Sequence, residues 1–272
     1  KIDSLINLLG ELVITQSMLS IYGDAEKYPQ FERLSEGLAQ LERHTRDLQE
    51  GVMRIRMLPI DFCFSRFPRM VRDIAKKLEK SITVEIIGEA TEVDKTVIEE
   101  LNDPLVHLVR NSVDHGIESP ADRAAKGKPE TGTVTLKAFH QVGNIIIEIS
   151  DDGAGLNTEK IREKAINKGI IAADSNLNDQ AIHELVFAPG FSTAQEVTDL
   201  SGRGVGMDVV KRNIKALGGT VDVRSVHEQG TTFTIRLPLT LAILDGQLVK
   251  VEGETYICLL YTSDAADEVL GV

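Results

Sequence analysis

Cysteine is scarce in this sequence of 272 residues, and the two present, Cys63 and Cys258, stand far apart with no metal-ligand spacing. That speaks against both a disulfide framework and a zinc site, and reads as two buried thiols. Basic charge is also in deficit: 30 Lys and Arg stand against 42 Asp and Glu, a formal net charge of −12. A nucleic-acid binder would show a basic face, so any phosphate site here must rest on backbone N–H groups and a few local cations. No apolar run approaches the ~20 residues needed to cross a bilayer, and no signal peptide opens the chain. A cytoplasmic protein without membrane insertion is expected. Repeats and low-complexity tracts are missing too. What remains is ordinary for a soluble globular protein, 42% hydrophobic and 26% charged, with a length that suits two domains. The chain has no initiator Met and its first twelve residues read as helix interior, so a fragment is expected.

The first sixty residues read as two helices. Leu5, Leu9, Leu12 and Leu19 recur at helical spacing, and Tyr22-Gly23-Asp24 breaks the pattern. A cleaner stripe follows in Phe31, Leu34, Leu38, Leu41, Thr45, Leu48, Val52 and Ile55, the seam of a coiled coil. Two helices on a short link make an antiparallel hairpin, and pairing of two hairpins into a four-helix bundle would bury the rest of that seam. A homodimer through residues 1–60 is expected.

After Pro59 the pattern changes. Helices are expected over Phe67–Leu78, Thr96–Asp114, Glu159–Asn167 and Val205–Leu217. Strands are expected over Ile82–Ile87, Gly132–Phe139, Asn144–Ser150, Thr220–Ser225 and Thr231–Leu237, with an antiparallel turn at Gln141-Val142-Gly143. Helices and strands mix without regular alternation, which favours an α+β sandwich over a doubly wound parallel sheet. The expected segments are a helical hairpin (1–60), a sandwich domain (61–240) and the start of a β module (241–272), with strand pattern at Gln247–Leu260.

Three motifs carry chemistry. On one helix, His107, Asn111 and Asp114 fall at i, i+4 and i+7 and share a face. An Asn oxygen suits Mg²⁺, which takes its other oxygens from water and phosphates. At the end of a strand, Asp151-Asp152-Gly153-Ala154-Gly155 offers a carboxylate able to accept from the exocyclic amine of adenine. Glycines beside it let the backbone approach a flat base. Third, Gly202-Arg203-Gly204-Val205-Gly206-Met207-Asp208 precedes an apolar helix, where free N–H groups form an anion site. It is neither a Walker loop nor a dinucleotide fingerprint. Between the second and third motifs lie about fifty polar and small residues, a length typical of a functional lid. Phe187 and Phe191 could anchor it. Each motif alone also fits an ordinary turn or a solvated helix face.

An Asn helix, Asp-x-Gly-x-Gly, an aromatic lid, Gly-x-Gly-x-Gly and Gly230-Thr231-Thr232-Phe233, in that order, resemble the GHKL ATPases. The wording of His107–Asn111, Asp114–Gly116, Phe187–Thr193, Ser201–Lys211 and Leu237–Ile243 closely resembles the CheA family of chemotaxis histidine kinases, over roughly residues 1–260. The resemblance implies a GHKL-type α/β sandwich that binds ATP and Mg²⁺ and transfers the γ-phosphoryl group to a histidine on a separate phosphotransfer domain. It implies a catalytic set of His107, Asn111 and Lys160, with Asn111 and His107 at the metal. The implied nucleotide set adds Asp114, His115, Asp151, Gly153, Gly155, Lys164, Phe191, Ser192, Thr193, Gly202, Arg203, Gly204, Val205, Gly206, Met207 and Thr232. His44 sits where ordinary sensor kinases carry their acceptor, but Thr45-Arg46 follows it, and it reads as a surface or seam residue. Residues 241–272 resemble the truncated start of an SH3-like, CheW-like regulatory module. The partners implied for the full protein are CheW, chemoreceptors and response regulators. From Tyr261 the sequence departs from the family, and a non-native, poorly ordered tail is expected. Two other readings stay open: a GHKL ATPase that cycles conformation without phosphotransfer, and a dimerisation scaffold with a degenerate pocket.

Overall fold

The computed structural model describes residues 5, 8–10, 12–16, 32–191, 206–239, 246–251 and 254–259. These fall into two compact units, 1–239 and 240–272. In the first unit the described residues up to 16 are helical, and the seam forms one helix over Glu32–Arg56. Leu41, Leu48 and Ile55 on that seam are exposed, Ile55 at 65%. Thr45 is buried, its hydroxyl donating to the Leu41 carbonyl at 2.8 Å. An exposed apolar seam of this kind marks an interaction surface.

The seam helix stops at Arg56, and β1 (Met57–Pro59) leaves it to pair antiparallel with β3 (Glu92–Asp94). Asp94 then caps the helix Lys95–Asn111, its side chain accepting from the Thr96 amide at 2.7 Å. Capping satisfies one of the donors a helix start leaves open. Arg56 reaches across to the same spot: its guanidinium lies 3.5 Å from the Asp94 carboxylate and bonds the Thr96 hydroxyl. The end of one helix is thus fastened to the beginning of the next.

The main sheet has five strands in the order β2-β4-β5-β7-β6, with β2 Ile82–Ile87, β4 Gly132–Gln141, β5 Asn144–Asp151, β6 Thr220–Val226 and β7 Gly230–Pro238. Only β2 and β4 run parallel, Ile82 opposite Gly132; the other pairs are antiparallel. Along β4 buried residues alternate with half-buried ones, as they do when one face is covered. That covered face holds Val134, Leu136, Ile147, Ile149 and Ile235, in one core with Val71, Leu105, Leu108, Val109, Val210 and Ile214 from the helices Phe67–Lys77, Lys95–Asn111 and Met207–Ala216. Each fully buried aliphatic side chain contributes about 1.5–3 kcal/mol. The expected α+β sandwich is the observed architecture.

Two regions differ from expectation. The helix expected to run to Asp114 keeps α geometry only to Asn111, and Ser112–Gly116 continue as a π-turn closed by the Ile117 amide on the Ser112 carbonyl at 2.8 Å. Wider turns of this type add a residue to the turn and shift the phase of everything after it. In the stretch read as polar and irregular after Asn167, the described part includes a further packed helix. Thr158–Asn167 is followed by Asp179–Glu184 and a 3₁₀ turn Leu185–Phe187, capped by Asn157 and Asn178. Ile161, Ala165, Ile182, Phe187 and Phe191 are buried. In the second unit β8 (Gly246–Val251) and β9 (Glu254–Leu259) form an antiparallel hairpin. The tail expected to be poorly ordered lies outside the described residues, among which no helix is long and apolar enough to cross a membrane.

Asp94→Ala removes both the cap and the partner of Arg56, and is expected to lower unfolding free energy by about 1–2 kcal/mol. Asp94→Asn, which keeps the cap, should cost less. Denaturant unfolding of the two variants beside the unchanged chain measures this.

Candidate functional site

The site lies where the end of the Lys95–Asn111 helix, the end of β5 and the start of the Met207–Ala216 helix meet. Asn111 donates its amide Nδ2 to the Met207 sulfur at 3.0 Å, which leaves Oδ1 as the acceptor end of that side chain. Gly206 is the N-cap of the helix and supplies no side chain, so the first amides are not claimed by a capping group. One turn before Asn111, His107 is half-buried. Burial and the neighbouring Arg110 push its pKa down, His115 adds to this, and Asp208 opposes it. The imidazole is therefore neutral near pH 7, with a lone pair available as acceptor or ligand.

Asp151 closes β5 and is buried. Its Oδ1 accepts from the Gly153 amide at 3.1 Å and from the Thr231 amide at 3.3 Å. Desolvation raises its pKa; the Ser112 hydroxyl and those two amides hold it down, and Asp152 adds to the rise. Ser112 Oγ is itself buried without a hydrogen bond of good geometry. The Asp–Gly turn that follows is packed against backbone on both sides. A Cβ on Gly153 would sit 2.0 Å from the Gly116 carbonyl oxygen, so only glycine fits. Gly155 has φ +71° and a Cβ there would meet the Val226 carbonyl at 2.4 Å.

The other expected residues have the following neighbours. Thr232 bonds its hydroxyl to Ser150 at 2.8 Å, and it is the preceding Thr231 that reaches Asp151. Asp114 lies within the π-turn, and its carbonyl accepts from Lys80 Nζ at 2.8 Å, as does that of Val113. Lys160 and His115 are exposed. Lys164 Nζ lies 5.2 Å from the Phe191 ring centre, and Lys211 Nζ 5.8 Å from that of Phe187. Phe187 stacks edge-on against Phe233 with centroids 6.2 Å apart. His44 is exposed on the seam helix. Ser192, Thr193, Gly202, Arg203, Gly204 and Val205 lie outside the described residues. Among the described residues no three His, Cys, Asp or Glu side chains are grouped to hold a metal ion.

The sequence reading missed a charged group behind the turn. Arg123, 1% exposed, grips the Asp152 carboxylate at 2.8 Å and meets Glu118 at 3.3 Å. Lys128 bonds the carbonyls of Asp152 and Gly153. Nothing in the local pattern marks these side chains as buried, because their partners lie up to 29 residues away.

Comparison with known proteins gives two family matches. Residues 100–241 match the family of histidine kinase-, DNA gyrase B-, and HSP90-like ATPases. Residues 1–55 match the homodimeric domain of signal-transducing histidine kinases. The chemotaxis protein CheA of Salmonella typhimurium is 56% identical over 257 residues, which is 94% of this chain and 38% of that protein. CheA of Bacillus subtilis is 50% identical over 258 residues, again 94% of this chain and 38% of that protein. Among solved structures, the histidine kinase domain from the Erythrobacter litoralis EL346 blue-light activated histidine kinase covers 88% of this chain and 94% of that one, with a TM-score of 0.40 and 17% identity. The chain thus spans well under half the length of the curated relatives it matches.

Because burial raises the Asp151 pKa, the folded chain holds that proton more tightly than the unfolded chain does. Stability from this group is present below pH 3.8, its ordinary value, and is lost as pH rises through the folded pKa. Asp151→Asn keeps an Oδ1 acceptor and removes the charge. It is expected to make the nucleotide-free protein more stable at pH 7, with the gain shrinking toward pH 4, as thermal unfolding across pH would record.

Proposed function

The chain belongs to the histidine kinase-, DNA gyrase B- and HSP90-like ATPase family, and from that membership we propose that it is the dimerisation and catalytic core of a CheA-type protein-histidine kinase. The observation that carries the ATP reading is the buried Asp151 carboxylate, whose Oδ1 accepts from two backbone amides and whose Oδ2, in neither of those bonds, would accept from an exocyclic amine. The residues fit the groups they would hold. Asp151, with Gly153 and Gly155, suits adenine; Asn111 Oδ1 suits Mg²⁺; the Gly202–Gly206 segment and the amides after Gly206 suit the phosphates. His115, Asp114, Lys160, Lys164, Phe191 to Thr193, Met207 and Thr232 complete the proposed surroundings of the nucleotide.

Bound ATP–Mg²⁺ would supply the γ-phosphoryl group and neutralise the charge on the leaving ADP. The chain's own residues position and polarise. Asn111 would hold the metal through Oδ1, and neutral His107 would accept a proton or hydrogen bond in the phosphate region. Lys160, on an exposed first turn, is free to reach a phosphate oxygen. The attacking nucleophile is an imidazole nitrogen of the acceptor histidine: an N–P bond forms as the bond from phosphorus to the ADP oxygen breaks. A neutral imidazole needs little base catalysis, so positioning and charge stabilisation supply most of the rate. That acceptor belongs to a separate phosphotransfer domain, and His44 is not it.

The proposed organisation is a hairpin over 1–60 that dimerises along the exposed seam, a kinase domain over 61–240, and the start of a CheW-like module from 241. In a full protein of this kind the partners are CheW, chemoreceptors and response regulators, in the cytoplasm. The match of residues 1–55 to a homodimeric domain supports the dimer.

Mixing the chain with an isolated CheA-type phosphotransfer domain and γ-labelled ATP–Mg²⁺ tests the reading. Acid-labile label on the acceptor histidine is expected, and His107→Ala should lower its rate while nucleotide affinity persists. An unlabelled acceptor despite tight nucleotide binding would contradict kinase function. Full transfer by His107→Ala would remove the role given to that residue.

A further inference from the structure

Resting on that nucleotide site, we propose that Lys128 and Arg123 are positioning residues for adenine recognition, holding the Asp151–Ala154 turn in the one backbone arrangement that presents the carboxylate to a 6-amino purine.

Two peptide planes decide that arrangement, and each is held at both ends. In the plane between Asp152 and Gly153, the carbonyl accepts from Lys128 Nζ at 3.0 Å and from Arg123 Nη1 at 3.2 Å. Its N–H, on Gly153, donates to Asp151 Oδ1 at 3.1 Å. In the plane between Gly153 and Ala154, the carbonyl accepts from Lys128 Nζ at 2.7 Å, and the Ala154 amide donates to the Gly116 carbonyl at 2.8 Å. A peptide unit is rigid, so turning its carbonyl turns its N–H as well. Rotating the first plane would cost two charge-assisted bonds and would release Asp151 Oδ1 at the same time.

The lysine is committed to this task. An ammonium has three donors, and Lys128 finds three acceptors: the two turn carbonyls and Glu118 Oε1 at 3.2 Å. It is therefore not a phosphate-binding lysine. Behind it, Arg123 bonds the Pro129 carbonyl at 2.7 Å and both oxygens of Asp152 at 3.1 and 2.8 Å. Asp152 also accepts from the Thr133 amide at 2.9 Å, which ties the turn to β4. Glu118 joins both cations. The group lies behind the turn and would act on a bound nucleotide only through Asp151 and Gly153.

The test compares equilibrium binding of ATP and of purine riboside triphosphate, which lacks the 6-amino group, each with Mg²⁺. The unchanged chain should prefer ATP by on the order of 10-fold or more, the worth of one hydrogen bond to a charged group. Lys128→Met should weaken ATP by about 10-fold and the analogue much less, so that the preference collapses. Lys128→Arg should restore most of it. A lysine that only stabilised the fold would weaken both ligands alike, and an unchanged ratio overturns the proposal while leaving the site intact. An unchanged chain that binds neither nucleotide removes the site and this inference with it. If Lys128→Met does not fold, amide exchange of the unchanged, nucleotide-free chain decides. The Gly153 and Ala154 amides should exchange at least about 100-fold slower than in a free peptide. Exchange at open-loop rates overturns the proposal.

Discussion

A carboxylate taken out of water is the constraint on which the rest of this site depends. Asp151 is buried at the end of β5, and its stabilising neighbours are a hydroxyl and two backbone amides. Burying a charge on hydrogen bonds alone is unfavourable, so the backbone around it must be placed with little freedom. That requirement explains the local sequence. Gly153 is the residue that lets the turn touch the Gly116 carbonyl, and the π-turn Ser112–Gly116 is what brings that carbonyl there. Arg123 and Lys128 fix the remaining side. The unfavourable term is of the kind a binding site retains: an acceptor held ready for a donor the ligand brings.

The second ordering element is mechanical. Arg56 ends the seam helix, meets Asp94, and Asp94 caps the helix whose last α residue is Asn111. The described contacts therefore run from the seam helix to Asn111 through one ion pair and one helix. Leu105, Leu108 and Val109 anchor that helix to the sheet, so its register against β4 and β5 is set by the core. Asn111 then meets Met207, which brings the start of the Met207–Ala216 helix to the same place.

Much of this was legible in the sequence because it is periodic or local. Alternation over 132–139 and the isoleucine-rich run 145–149 mark a strand pair, and Val142-Gly143, both with positive φ, make the turn between them. The seam of Leu41, Leu48 and Ile55 is equally plain. What escaped depends on distance or on phase. Arg123 and Lys128 look like solvated charges until the fold brings Asp152 and Glu118 to them. The π-turn after Asn111 adds a residue to the helical turn that holds Asp114, and no local pattern announces it. Short helices such as Asp179–Glu184 hold too few apolar residues to show a period, and Thr231 acts through its amide, which no side-chain motif encodes.

The most direct test is the carboxyl titration of Asp151 in the nucleotide-free protein, followed by carbon-13 NMR. The account predicts a pKa above the ordinary 3.8, because desolvation outweighs the hydrogen bonds it receives. A value at or below 3.8 would mean that the carboxylate is solvated or fully compensated, and would contradict the constraint from which the site has been built.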